Sequence, residues 1–255
     1  MTSIAERHKY ILESLAKNGF IKVNEIAKEL EVTPVTIRKD LKHLEEKKLL
    51  YRTHGGASPV NPLTSDIDVH EKEKLRKEEK KRIATAAAKL IEENDSIIIA
   101  SGSTVHTFAE HITPINHLTV VTASLKTSLL LNTINNIEVI QLGGIVRKNS
   151  FSVIGDYTSL FFEQITCSKL FLGVDGIDLE FGITTTDVRE ADLNKEMMRI
   201  AQKCIVLADS SKFRRRGFSK IANIEEVDII ITDAGIPDSI ARRIEEMGIE
   251  LIIAE

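Results

Sequence analysis

The chain has 255 residues, 42% of them hydrophobic, with a formal net charge of -4 at pH 7. That length accommodates one sizeable core plus a smaller module, and no apolar run approaches the roughly 18 residues of a membrane span. The start, MTSIAERHKY, lacks the apolar stretch of a secretory signal, so a cytoplasmic location is expected. The two cysteines, Cys167 and Cys204, lie in or beside apolar segments with no Cys or His at metal spacing. They read as buried thiols, and neither a metal nor a cofactor is expected.

Charge divides the chain. Residues 1–57 carry 11 Lys+Arg against 8 Asp+Glu, whereas the remainder carries 23 against 30. A mildly basic N-terminal piece thus precedes a larger acidic one, which suits a polyanion contact confined to one end.

In chain order, Ile4, His8, Ile11, Leu12 and Leu15 recur at helical spacing and Asn18-Gly19 closes the helix. A second, shorter helix turns Ile26, Ala27 and Leu30 inward. After Glu31-Val32 a third opens with Thr33 as N-cap and Pro34 at its first position, burying Ile37, Leu41 and Leu44. Leu49–Arg52 reads as a strand and His54-Gly55-Gly56 as a tight turn. Three helices and a hairpin make a winged helix-turn-helix, with a domain expected over 1–57. The prolines and mixed charges of SPVNPLTSDIDVHEKEKLRKEEKKR suggest a linker over 58–76 and then a second domain over 77–255.

In that second domain seven short apolar runs alternate with helical patterns: SIIIA (96–100), LTVVT (118–122), IEVIQL (137–142), KLFLGV (169–174), CIVLAD (204–209), VDIIIT (227–232) and IELIIA (249–254). Continuous β-branched strands separated by helices imply an α/β domain with a mainly parallel sheet covered on both faces.

Two segments carry chemistry. Opposite Ile37 on the third helix stand Val35, Lys39 and Lys42, flanked by Thr36 and Arg38. A helix start exposing a hydroxyl, a small apolar group and cations suits a DNA major groove, with Arg38 able to fork onto guanine and the lysines able to neutralise phosphates. A merely solvated amphipathic helix is the alternative. The preceding short helix and turn, with Arg52 and His54 on the hairpin, favour double-stranded DNA as partner. In IIIASGSTVHTF, Ser101, Gly102, Ser103 and Thr104 place N–H groups and hydroxyls at the positive end of a helix, a ready anion site. Ligands of open parallel sheets sit beyond the strands' carboxyl ends, where GVDGID (173–178) and ADSSK (208–212) also fall.

The stretch GFIKVNEIAKELEVTPVTIRKDLKHLEEKKLLYRTHGGA closely resembles the N-terminal signature of DeoR-type bacterial transcriptional regulators, through TIRKDL and RTHGGA together. The resemblance extends to nearly the whole chain. It implies an operator-binding regulator, a repressor of a carbohydrate-use operon, acting as a homo-oligomer (dimer or tetramer) and controlled by a phosphorylated sugar. The family's sensor domain shares its fold with ribose-5-phosphate isomerase. By that similarity Ser101–Thr104 and Lys212 would hold a phosphate, Asp175 and Asp178 would meet sugar hydroxyls, Glu190 would lie nearby, and Gly143-Gly144 would let a backbone approach closely. Structural roles stand beside these: Asp178 as a turn cap, Glu190 as a helix-dipole partner, Lys212 as a surface lysine.

The sequence departs from the family pattern at Glu31, where a turn Gly is common, at Lys22, where a Ser or Thr cap is common, and at Ala100 and Ala123, where Asp and Asn are common. An isomerase carrying a DNA-binding head is the rival reading. The stretch LEFGITTTDV lacks the lysine those isomerases use to stabilise charge, and acid/base turnover needs that partner as well as Glu190. No catalytic residue is expected.

Overall fold

A computed structural model describes residues 3–18, 20–47, 49–53, 55–58, 67–113, 116–155 and 161–255. The chain folds as two compact units, Met1–Ser65 and Asp66–Glu255. No helix among the described residues is long and apolar enough to cross a membrane.

The first unit has helices α1 (Ile4–Asn18), α2 (Val23–Glu29) and α3 (Pro34–Glu46), with strands β1 (Ile21–Lys22), β2 (Tyr51–Thr53) and β3 (Gly56–Ser58). The strands form an antiparallel sheet in the order β1-β3-β2. Thr33 caps α3 by accepting from the Thr36 N–H at 3.2 Å, and Pro34 supplies the preset φ of a first helical residue. The apolar stripe of α3 is buried as expected: Ile37, Leu41 and Leu44 are at most 2% exposed and pack with Ile11, Leu15 and Ile26. Glu31, in the turn between α2 and α3, takes φ 52°, the left-handed region in which a side chain is strained.

The second unit is built on seven strands: β4 (Ser96–Ile99), β5 (Leu118–Thr122), β6 (Ile137–Gln141), β9 (Cys167–Gly173), β12 (Ala201–Leu207), β14 (Ile229–Asp233) and β15 (Glu250–Ala254). Every neighbouring pair is parallel, in the order β15-β14-β12-β9-β4-β5-β6. These are the seven runs read from the sequence. Their unbroken hydrophobicity follows from burial on both faces: Ile97 and Ile99 join one apolar cluster, while Ile98, pointing the other way, joins a second. Among the described residues the unit also has helices α4 (Val69–Lys74), α5 (Lys77–Ala88), α6 (Ser103–Glu110), α7 (Leu125–Leu131), α8 (Val188–Ile200) and α9 (Asp238–Glu246). Short antiparallel excursions add β7 (Ile145–Arg147) with β8 (Ser152–Ile154), and β10 (Gly176–Asp178) with β11 (Gly182–Thr185) and β13 (Ser219–Ala222).

The strand order places the crevice. From β4 the chain winds outward through β5 and β6, then returns to lay β9 on the other side of β4 and winds on to β15. The carboxyl ends of β4 and β9 therefore diverge at the switch point, where ligands of such sheets bind.

The expected linker, 58–76, is shared between the units. Ser58 is the last residue of β3, and α4 belongs to the second unit. The mixed charge of α4 was misleading because it is used in ion pairs, Lys72 with Asp175 and Glu73 with Lys126, while Val69 alone seats the helix in the core.

Candidate functional site

In the first unit the outward face of α3 presents Val35, 56% exposed, together with exposed Arg38, Lys39 and Lys42; Thr33 and Thr36 sit at the helix start. The described residues offer no salt-bridge partner to these three cations, so a phosphate or base edge meets no internal competitor. Arg52 is placed differently from a free wing cation. Its backbone N–H and Nε donate to Glu45 at 2.9 and 2.7 Å, fastening β2 to the end of α3 and holding the Glu45 carboxyl below its usual range. His54 lies outside the described residues.

Sequence reasoning missed Asp40. It is buried on the inner side of α3, accepts from Arg7 Nε at 2.8 Å and lies 3.2 Å from His8 Nε2, so it fixes α3 against α1. An acidic residue one helical turn from Ile37, inside the apolar stripe, was the available signal.

In the second unit a cavity of about 50 Å3 opens at the switch point. Ser101–Thr104 line it from the end of β4 and the start of α6, Asp175 from the end of β9, and Lys212 from the short turn of 3-10 helix after β12. Gly102, at φ 129°, turns the chain from strand into helix in a conformation open chiefly to glycine, which lets the first N–H groups of α6 face the cavity.

The pocket's charges are crowded. Burial alone would raise the Asp175 carboxyl, but Lys72, 2.7 Å away, and Lys212 outweigh it and hold Asp175 well below the usual carboxylate range. Burial pulls the Lys212 ammonium below its usual value against the attraction of Asp175 and Asp209. Among the described residues no hydrogen bond or ion pair holds that ammonium. Lys80, buried on α5, is lowered to about 8 by burial and donates to the Lys72 carbonyl.

Glu190 is placed by the cap of α8, where Asp187 accepts from the Arg189 and Glu190 N–H groups. Its carboxylate accepts from Ser101 Oγ at 2.5 Å and from Arg147 at 2.6 Å, while burial pushes it up. Glu190 and Ser101 thus line the cavity as one hydrogen-bonded pair.

Three expected residues stand apart from it. Asp178 accepts from the Glu180 and Phe181 N–H groups and pairs with Arg216, the turn-capping role. Gly143 and Gly144 precede β7, where a Cβ on Gly144 would come within 2.5 Å of the Ile154 carbonyl oxygen; the close approach is to the neighbouring strand. Conversely Lys72, Thr185, Asn149 and Ser150 line the cavity and were not anticipated. Cys167 and Cys204 are buried, with thiols pushed up by burial to about 11 and about 12.

A helix bearing free cations on a winged head, joined to a parallel sheet with a charged crevice, defines a DNA-binding regulator with a sensor domain. Residues 7–62 match the DeoR-like helix-turn-helix domain and residues 75–234 the DeoR C terminal sensor domain. The chain is 33% identical to a putative aga operon transcriptional repressor of Escherichia coli O157:H7, over 99% of this chain and 95% of the relative. It is 28% identical to the glycerol-3-phosphate regulon repressor of Escherichia coli strain K12, over 96% and 97%. A solved D-ribose-5-phosphate isomerase in complex with phospho-erythronic acid is 22% identical over 54% of each chain, with a TM-score of 0.41. The chain belongs to the DeoR family of transcriptional regulators. The relatives that span it are regulators, so the isomerase reading is not favoured.

Proposed function

We propose that the chain represses a carbohydrate-use operon and is controlled by a phosphorylated sugar bound at the switch-point crevice. The observation that carries this is Lys212: a half-buried ammonium without a hydrogen-bonded partner among the described residues, beside the N–H groups that open α6. Leaving a cation so placed is costly unless an anion arrives to meet it. Asp175 across the cavity supplies an acceptor for sugar hydroxyls, while Ser101 and Glu190 form its polar wall. The named relatives support the operon-repressor part of this reading, one as a putative aga operon repressor and one as a repressor of a glycerol-3-phosphate regulon.

On this reading Arg38 reads base edges from the major groove, with Val35 and Thr36 beside it and Lys39 and Lys42 on phosphates. Heads of this kind read paired half-sites. The active species is therefore at least a dimer, assembled through the α/β unit, and light scattering that found a monomer both free and on DNA would exclude it. A thermal-shift screen of phosphorylated sugars tests the sensor directly. A true effector at about 100 times its Kd adds about 2.7 kcal/mol of stability, whereas no shift with any phosphorylated sugar would remove the reading.

A further inference from the structure

The enclosed part of the crevice, about 50 Å3, holds a few waters, so a phosphorylated sugar seated fully inside it needs a wall that gives way. The strand ends and α6 are not that wall, because they are built into the core of the sheet. The rest of the lining comes from Asn149 and Ser150 between β7 and β8, from Thr185 and Glu190, from the Lys212 turn and from α4; among these, the wall joined to Asp175 by an ion pair is α4. It is short, its only buried apolar residue is Val69, and otherwise it is fastened by polar contacts. The Val69 N–H donates to the Asn149 carbonyl at 2.7 Å, Lys72 Nζ reaches Asp175 at 2.7 Å, Lys126 pairs with Glu73, and Lys80 donates to the Lys72 carbonyl.

The fastening to Asp175 differs from the others in one respect. Lys126, Lys80 and Asn149 hold α4 to its surroundings, whereas Lys72 reaches across the cavity to the carboxylate a sugar hydroxyl would use. We infer that α4 is a strap over the crevice and that the Lys72–Asp175 ion pair is its latch: an incoming phosphorylated sugar takes Asp175 and the latch opens. This rests on the sensor reading of the same crevice. Among the described residues α4 is the first element after β3 and lies at the N-terminal end of the second unit.

Both partners of the latch keep some access to water, about a fifth of each side chain. A pair of that kind contributes enough to bias a short helix without locking it. An element of low local stability is what a ligand can reposition.

Amide hydrogen exchange on the full chain tests the latch. In the effector-free protein, Lys72→Met should raise exchange at residues 69–75 by roughly threefold to tenfold, against little change for residues 101–105. Lys72→Arg, which can still reach Asp175, should restore most of the protection. Unchanged exchange at 69–75 in Lys72→Met would overturn the latch. A second arm uses fructose 6-phosphate, glycerol 3-phosphate and inorganic phosphate as probes on the wild type. Protection gained at 101–105 together with faster exchange at 69–75 supports the opening; protection at 101–105 with 69–75 unaltered overturns it. If no probe alters 101–105, the sensor reading of the crevice is what fails, and the latch is decided by the Lys72→Met arm.

Discussion

The outer face of α3 and the crevice of the α/β unit both rely on Lys and Arg, in opposite surroundings. On α3 the cations stand in water with no partner within the described residues, so they are ready for a polyanion, and nothing in the fold depends on them. In the crevice Lys72 and Lys212 are partly or fully withdrawn from water and feel Asp175, with Lys80 and Asp209 buried in the same electrostatic neighbourhood. Readiness to bind thus takes two forms here: an exposed charge that costs the fold little, and a sheltered charge whose solvation is left incomplete for a ligand to finish. Changes on α3 should alter DNA binding alone, while changes in the crevice should alter both stability and response.

The largest effect expected breaks the rule deliberately, since the first unit has one sheltered ion cluster of its own. Asp40→Ala removes the carboxylate that accepts from Arg7 and faces His8, breaking an ion pair whose side chains are only 11% and 8% exposed. It should cost about 3 kcal/mol of stability in the winged unit, read by urea denaturation. A loss below about 0.5 kcal/mol would show that Arg7 simply turns to water.

Next, Arg38→Ala should cost about 1 to 3 kcal/mol on operator DNA with unchanged unfolding midpoint and little loss on random DNA. Lys39→Ala and Lys42→Ala should weaken all sequences alike and flatten the salt slope by about one for each phosphate left without its lysine. Equal losses on specific and random DNA for Arg38→Ala would place that guanidinium on a phosphate, and a drop in stability would break the contrast between the two regions.

A smaller effect sharpens the crevice side. Asp175 titrates below its unfolded value, so its contribution to stability is complete above the unfolded pKa of about 3.9 and is lost as the pH falls below that towards the folded value. Between pH 5 and pH 3 the wild type should lose about 1 kcal/mol more than Asp175→Asn, measured by denaturant titration at each pH. Parallel profiles would mean that Lys72 and Lys212 do not stabilise that carboxylate. The smallest effect is local. Glu31→Gly should gain about 0.5 to 1 kcal/mol by relieving the left-handed φ of 52°, and a loss would show that unfolded-chain entropy outweighs the strain.

How much of this was legible depended on where each side chain finds its partner. All seven strands of the parallel sheet announced themselves because burial on two faces demands uninterrupted apolar runs. The pieces β7, β8, β10 and β11 did not, being three or four residues long, with pairing that no local pattern encodes. The α3 face was readable from helical geometry alone. In the crevice, Ser101–Thr104, Asp175 and Lys212 follow from being at strand ends, a position the topology makes special. Lys72 and Arg147 do not, because their partners Asp175 and Glu190 lie 103 and 43 residues further along the chain. Asp178 shows the converse: a plausible ligand residue by position whose carboxylate is already satisfied by two amides and Arg216.

The central claim, that a phosphorylated sugar held by Lys212 controls what α3 does on DNA, has one direct measurement. Fluorescence anisotropy of an operator selected from a random DNA pool is followed while the phosphorylated sugar identified by thermal shift is titrated into wild type and Lys212→Met. The effector should change operator affinity in the wild type, and in Lys212→Met its midpoint should rise roughly 10- to 150-fold, the effect of removing one charge-assisted hydrogen bond, with effector-free operator affinity unaltered. An identical midpoint in the two proteins, or an operator complex indifferent to every phosphorylated sugar, would contradict it.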